Sequence, residues 1–144
     1  MKIFLIVMLF FIFSNANAQD AQEWLNRGIT KSELGDYKGS IKDFDKAIKL
    51  NSQFTDAYYN RGIAKAKLGD HQGAIKDLNK VIILNPQLVK AYNNRGYLKD
   101  ELGDYQAAIH DYNKAIEINP QYTEAYNNRG ATKYKLGDHQ GAVQ

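Results

Sequence analysis

The chain of 144 residues contains no cysteine, only two prolines and a single tryptophan. Without cysteine there is no disulfide, no thiolate metal site and no thiol nucleophile, and the acylated cysteine of a bacterial lipoprotein anchor cannot form. Stability must come from packing. Phosphate-cradling glycine loops are missing too, because the glycines occur singly at a fixed interval. Charge of one sign is scarce: the formal net charge is +3, and subtracting Lys2 leaves +2 for the rest, too little to point to nucleic acid or an acidic membrane as partner. Charged residues are mixed in sign, as on solvated helix faces.

Histidine is equally sparse and forms no catalytic constellation. His71 and His139 stand where Tyr37 and Tyr105 stand in neighbouring segments, which points to packing, and His110 is isolated, whereas a catalytic site needs a positioned partner. The sequence therefore points away from an enzyme, and from any cofactor or metal.

Long apolar runs are limited to one. Lys2 precedes an unbroken apolar stretch from Ile3 to Phe13, followed by Ser14-Asn15 and then Ala16-Asn17-Ala18. This is the pattern of a secretory signal peptide. Eleven apolar residues are short for a bilayer-spanning helix, which needs ~20. Residues 1–18 are thus expected to be cleaved after Ala18, giving a periplasmic or secreted chain that starts at Gln19 and has no stable membrane insertion. The alternative is an uncleaved signal anchor.

Beyond residue 18 the chain repeats every 34 residues. Arg27-Gly28, Arg61-Gly62, Arg95-Gly96 and Arg129-Gly130 keep that spacing, as do Leu34-Gly35-Asp36, Leu68-Gly69-Asp70, Leu102-Gly103-Asp104 and Leu136-Gly137-Asp138. Trp24, Tyr58, Tyr92 and Tyr126 recur in step. So do the small residues Ser40, Ala74, Ala108 and Ala142, then Phe44, Leu78 and Tyr112, then Ala47, Val81 and Ala115. Pro86 and Pro120 close two copies. Such a period belongs to stacked helical hairpins.

This ordered set resembles the tetratricopeptide repeat family. The resemblance covers residues 21–54, 55–88, 89–122 and a partial copy at 123–144, all within a domain at 19–144. It implies an all-α solenoid, a right-handed superhelical array of antiparallel hairpins whose first helices line a concave groove.

Each copy reads as two amphipathic helices, about Trp24 to Leu34 and Tyr37 to Leu50 in the first. Gly35 and its equivalents suit a left-handed residue ending the first helix, and Asp36, Asp70, Asp104 and Asp138 can cap the second. Asn51, Asn85 and Asn119 tolerate the turn that follows. Ser52 replaces proline in the first copy, so a softer boundary is expected there. Glycine inside the first helix would cost ~1 kcal/mol relative to alanine, so Gly28, Gly62, Gly96 and Gly130 point to close packing. They would meet Ala47, Ala74 and Ala108, while Trp24, Tyr58, Leu68 and Phe44 fill the space between layers.

Arg27, Arg61, Arg95 and Arg129 occupy a column that is commonly apolar in the family, and Asp43, Asp77 and Asp111 follow sixteen residues after the first three. Either each arginine meets the aspartate of its own repeat as a charge-assisted pair, or both are exposed. The last copy stops before its aspartate. The chain is accordingly either a piece of a longer array or carries an exposed end, the second case allowing a homodimer through an uncapped C-terminal helix.

The family groove would be lined here by Gln22, Leu25, Ile29, Asp56, Tyr59, Ile63, Lys90, Asn93, Tyr97, Glu124, Asn127 and Tyr134. Amides, aromatics and both charges suit a protein or peptide ligand. Within it, Asn26, Asn60, Asn94 and Asn128 form one column. An amide both donates and accepts, so the column can hold an extended peptide backbone, similar to the asparagine ladder of the O-linked N-acetylglucosamine transferase. Duplication alone would also produce it. The family's carboxylate clamp for chaperone C-termini is not expected, because only Asn60 and Lys90 match while Leu25, Ile29 and Asn94 take the other places. The function implied is a non-enzymatic interaction scaffold; the alternative is the N-terminal regulatory or targeting part of a larger enzyme or sensor.

Overall fold

The computed structural model describes residues 2–138 and 141, with side chains from residue 18 onward. The side chains of residues 1–17 of the expected signal peptide, together with His139 and Ala142, lie outside the described residues. Seven helices follow one another: α1 (Lys2–Glu33), α2 (Tyr37–Leu50), α3 (Thr55–Lys67), α4 (His71–Leu84), α5 (Val89–Glu101), α6 (Tyr105–Ile118) and α7 (Thr123–Lys135). No strand occurs among the described residues. The second helices start and stop where the sequence places them. The first helices begin a turn earlier than Tyr58 and its equivalents, and α1 runs through Trp24 without a break. Residues 14–23 contain no proline or glycine to stop it,.

Each helix end has a local cause. Gly35, Gly69, Gly103 and Gly137 have φ of +82°, +82°, +82° and +89°, which an L side chain resists. This turn lets Asp36 N–H reach Lys31 O at 2.8 Å and Gly35 N–H reach Ser32 O at 3.0 Å, satisfying carbonyls that a helix end leaves open. The next residue caps the following helix. Asp36, Asp70 and Asp104 accept from the backbone N–H of Gly39, Gly73 and Ala107 at 2.8, 2.9 and 3.2 Å, and Asp138 accepts from Gly141 at 2.8 Å.

The loop between repeats is held by asparagine rather than by proline. Asn51, Asn85 and Asn119 donate their backbone N–H to the helix behind them at 2.9, 2.7 and 3.0 Å. Their Oδ1 atoms accept from Gln53, Gln87 and Gln121 N–H at 3.0, 3.1 and 3.0 Å. The Ser52 loop has the same bonds as the two proline loops, so the softer boundary expected there is not found.

The core consists of one layer per hairpin. Leu25, Phe44, Ala47, Ala57 and Ala64 form the first, Ala74, Leu78, Val81, Ala91 and Leu98 the second, and Tyr92, Ala108, Tyr112, Ala115 and Ala125 the third. The helical glycines make these layers possible: a Cβ on Gly28 would stand 2.4 Å from the Phe44 ring, and one on Gly96 2.8 Å from the Tyr112 ring. Leu68 does not fill the interlayer space. It is 44% exposed and ends α3 as its C-cap, where the turn carries the side chain outward. Successive first helices also pack together, α1 on α3 and α5 on α7. That puts the first helices on the inner side of the stack and the second helices outside. Among the described residues no helix is long and apolar enough to cross a membrane.

Candidate binding groove

The arginine column joins the repeats that form the groove. Arg61 Nε and Nη2 donate to the two Asp77 carboxylate oxygens at 2.9 and 2.6 Å, and Arg95 grips Asp111 in the same way at 2.8 and 2.6 Å. Bidentate geometry of this kind fixes orientation as well as distance. Each arginine also reaches backward: Arg61 Nη1 donates to Asp45 at 2.6 Å, Arg95 to Asn79 at 2.7 Å and Arg129 to Asn113 at 2.8 Å. One guanidinium thus ties a first helix to the second helix of its own repeat and to that of the preceding repeat. The pull of the two carboxylates outweighs burial and drives the Arg61 pKa above its ordinary value.

The first repeat departs from this pattern. Arg27 Nε is 3.7 Å from Asp43, and its guanidinium lies 4.2 Å from the Trp24 ring centre. Lys31 serves Asp43 instead, with Nζ 2.6 Å from Oδ2, although that oxygen receives no bond of hydrogen-bonding geometry. The indole face attracts a cation better than the phenol rings of the other repeats. The expected pairing within a repeat is thus bidentate for Arg61 and Arg95 and only a long ion pair for Arg27. Sequence reading overlooked two partners of this seam. Lys65 and Lys99, four residues after the arginines, lie 2.8 Å from Asp77 and Asp111, and that spacing on one helix face was the available signal. The backward acceptors lie sixteen residues before each arginine.

On the inner face, the asparagine column is already partly engaged. Asn26 accepts from Gln22 at 2.9 Å, and Asn60 donates to its own helix at Asp56 O, 2.8 Å. Asn94 donates to the Tyr59 hydroxyl at 2.9 Å, and Asn128 to Asn93 Oδ1 at 3.0 Å. Two groove expectations are corrected. Leu25, 3% exposed, belongs to the core, and Asn93, 1% exposed, is buried between repeats. Asn93 donates to Glu124 at 2.9 Å, and Glu124 also accepts from the Tyr122 hydroxyl at 2.8 Å. Sequence periodicity cannot distinguish these positions, because Leu25, Tyr59, Asn93 and Asn127 share one column. Burial, with Glu124 beside it, raises the pKa of the Tyr122 hydroxyl to about 12; burial also raises that of Tyr59.

A second polar tie was not foreseen. Asp100, buried in α5, accepts from Thr132 Oγ1 at 2.8 Å and pairs with Lys135. It stands in the column of Ser32, Ala66 and Tyr134, so no repeat-wide signal announces it.

The inner face opens into a cleft of about 340 Å3 lined by Ile63, Ala66 and Lys67 of α3, His71 of α4, and Asn94, Tyr97, Leu98 and Glu101 of α5. Of the expected groove residues it unites Ile63, Asn94 and Tyr97. Asn26, Asn60, Asn127, Asn128, Tyr59 and Lys90 lie outside it. Among the described residues no group of three or more His, Asp or Glu side chains is placed to hold a metal ion.

No curated protein matches the chain significantly. Solved structures do. One of MamA superposes with a TM-score of 0.84 at 29% identity, covering 90% of this chain and 75% of that one. The first repeat domain of Spaghetti (RPAP3), bound to the HSP90 peptide SRMEEVD, gives 0.81 at 26% identity, covering 83% and 95%. The repeat domain of Arabidopsis OM64 gives 0.80 at 25%, covering 83% and 98%. Among family models, one described as a tetratricopeptide repeat matches residues 55–88 and 89–122, a repeat model matches 32–69, and a further tetratricopeptide repeat model matches 111–144. With matches running from residue 32 to 144 and all-helical hairpins stacked in the same way, the chain belongs to the tetratricopeptide repeat family.

Proposed function

We propose that the protein is a non-enzymatic scaffold that binds a polypeptide segment along its inner face. The observation that carries this reading is the cleft between α3 and α5. Its lining combines apolar walls (Ile63, Ala66, Leu98), a half-exposed aromatic (Tyr97), an amide (Asn94) and both charges (Lys67, Glu101). Few polar groups set in an apolar wall suit a side chain with its flanking backbone. Support also comes from the Spaghetti (RPAP3) domain, similar in fold and solved with a peptide.

In this reading Tyr97 and the Asn94 carbonyl anchor the ligand, while Asn60, Asn26, Asn128, Asn127, Tyr59 and Lys90 contact the flanking peptide. Asn93 acts indirectly by positioning Asn128 and Glu124. Export is part of the proposal: the chain would act outside the cytoplasm after loss of residues 1–18, and an intact Met1 in the mass spectrum of the exported protein would remove that part. For the groove, peptides selected from a random displayed library on the wild-type protein supply the probe. Asn60→Ala, Asn94→Ala and Tyr97→Ala together should weaken their binding at least tenfold while the circular dichroism spectrum is retained. Unaltered affinity would overturn the groove reading.

A further inference from the structure

The small net charge conceals an uneven distribution. The outer face of α2 carries Lys38, Lys42, Lys46 and Lys49, all exposed, with Asp45 as its one carboxylate. That carboxylate is taken by Arg61 at 2.6 Å. On α4 the face continues with Lys76 and Lys80, and Asp77 of the same helix is buried with Arg61 and Lys65. On α6 it fades to His110 and to Lys114, which is paired with Glu117 at 2.8 Å. Exposed acids such as Glu23, Glu33, Asp56, Glu101 and Glu124 sit on the first helices. Among the described residues no carboxylate pairs with Lys38, Lys42, Lys49 or Lys76. Lys38, Lys42 and Lys49 lie eleven residues or fewer apart at steps of four and seven, so they share one stripe of the helix.

We propose that this lysine face docks the protein on an anionic lipid surface. Its shape favours a plane over an acidic polypeptide. A polypeptide following the array would meet similar charge in every repeat, whereas the lysines are concentrated on the first outer helix and decline along the stack. A flat sheet touching an outward-curved stack reaches only one or two helices. The one tryptophan lies beside the face, with Lys46 Nζ 3.8 Å and the Arg27 guanidinium 4.2 Å from the Trp24 ring centre. Lipid phosphates that draw these cations off the indole will change its fluorescence.

The test titrates the full chain with phosphatidylglycerol vesicles and with phosphatidylcholine vesicles, reading co-sedimentation and Trp24 emission. Apolar insertion of residues 3–13 contributes equally to both lipids, so the preference for phosphatidylglycerol isolates the charged face. Each lysine near such a surface contributes roughly fivefold to binding. Lys42→Gln with Lys49→Gln should therefore cut the preference about thirtyfold, and added salt should weaken what remains. Lys114→Gln with Lys133→Gln, an equal charge change at the far end of the stack, should leave it nearly intact. Equal loss in both double variants, or no preference in the wild type, overturns the proposal. So does tight binding to polyglutamate without binding to vesicles, which would assign the face to an acidic polypeptide. None of these readouts depends on the groove.

Discussion

A Cβ placed on Gly28 would collide with the Phe44 ring, whereas on Gly62 the nearest atoms are Asp77 Cβ at 3.3 Å and Ala74 O at 3.4 Å. The same column thus carries unequal penalties. Gly28→Ala is expected to cost ~1 to 3 kcal/mol through overpacking. Gly62→Ala should be nearly neutral, because the ~1 kcal/mol gained in helix propensity offsets the tight contact, while Gly62→Leu should cost as much as Gly28→Ala. Urea denaturation of the three variants checks that order. The arginines differ in the same way. A double-mutant cycle on Arg61 and Asp77 should show coupling of about 1.5 to 3 kcal/mol, as for charged hydrogen bonds. The Arg27 and Asp43 cycle should give less than about 1 kcal/mol, because the pair is long and Arg27 is half exposed.

At the level of helices and loops, each terminus is governed by residues within a few positions of it. That is why α2, α4 and α6 could be delimited from Leu-Gly-Asp and Asn alone. The first helices were harder to delimit, because Phe54, Leu88 and Tyr122 precede them without a side-chain cap. In the loops, asparagine outranks proline. Pro86→Ser is expected to change stability by less than about 1 kcal/mol, since it only restores entropy to the unfolded chain and Ser52 already stands at the equivalent place. Asn85→Ala should cost more, because Gln87 N–H loses its acceptor. Thermal melts of the two variants should separate in that order.

Across the whole molecule, the backward and forward grips of the arginines make neighbouring repeats interchangeable. Deleting residues 55–88 joins Phe54 to Val89 and leaves Asp45 sixteen residues before Arg95, where Asn79 had been. Arg95 would then bridge Asp45 and Asp111. The shortened chain should keep a helical circular dichroism spectrum and melt at a lower temperature, since stability in such arrays sums over repeats and their interfaces. A disordered spectrum would show that the second repeat carries something its neighbours cannot replace.

The period, the hairpins, their caps and the arginine column were legible in the residues, because each depends on short spacings copied four times. Even the pairing of Arg61 with Asp77 could be read from a recurring interval. What duplication cannot encode is the place where one copy differs from its neighbours. Asn93 and Asp100 are buried only because the following repeat brings Glu124, Asn128, Thr132 and Lys135 against them. The cleft beside Tyr97 likewise exists only between two helices 34 residues apart in register, and the lysine face emerges once the aspartates nearby are turned inward or bound by arginine. Local sequence determined the module. Contact between modules decided which polar groups are left for a partner, since a charge or amide is available outside only when no neighbouring repeat has already bound it.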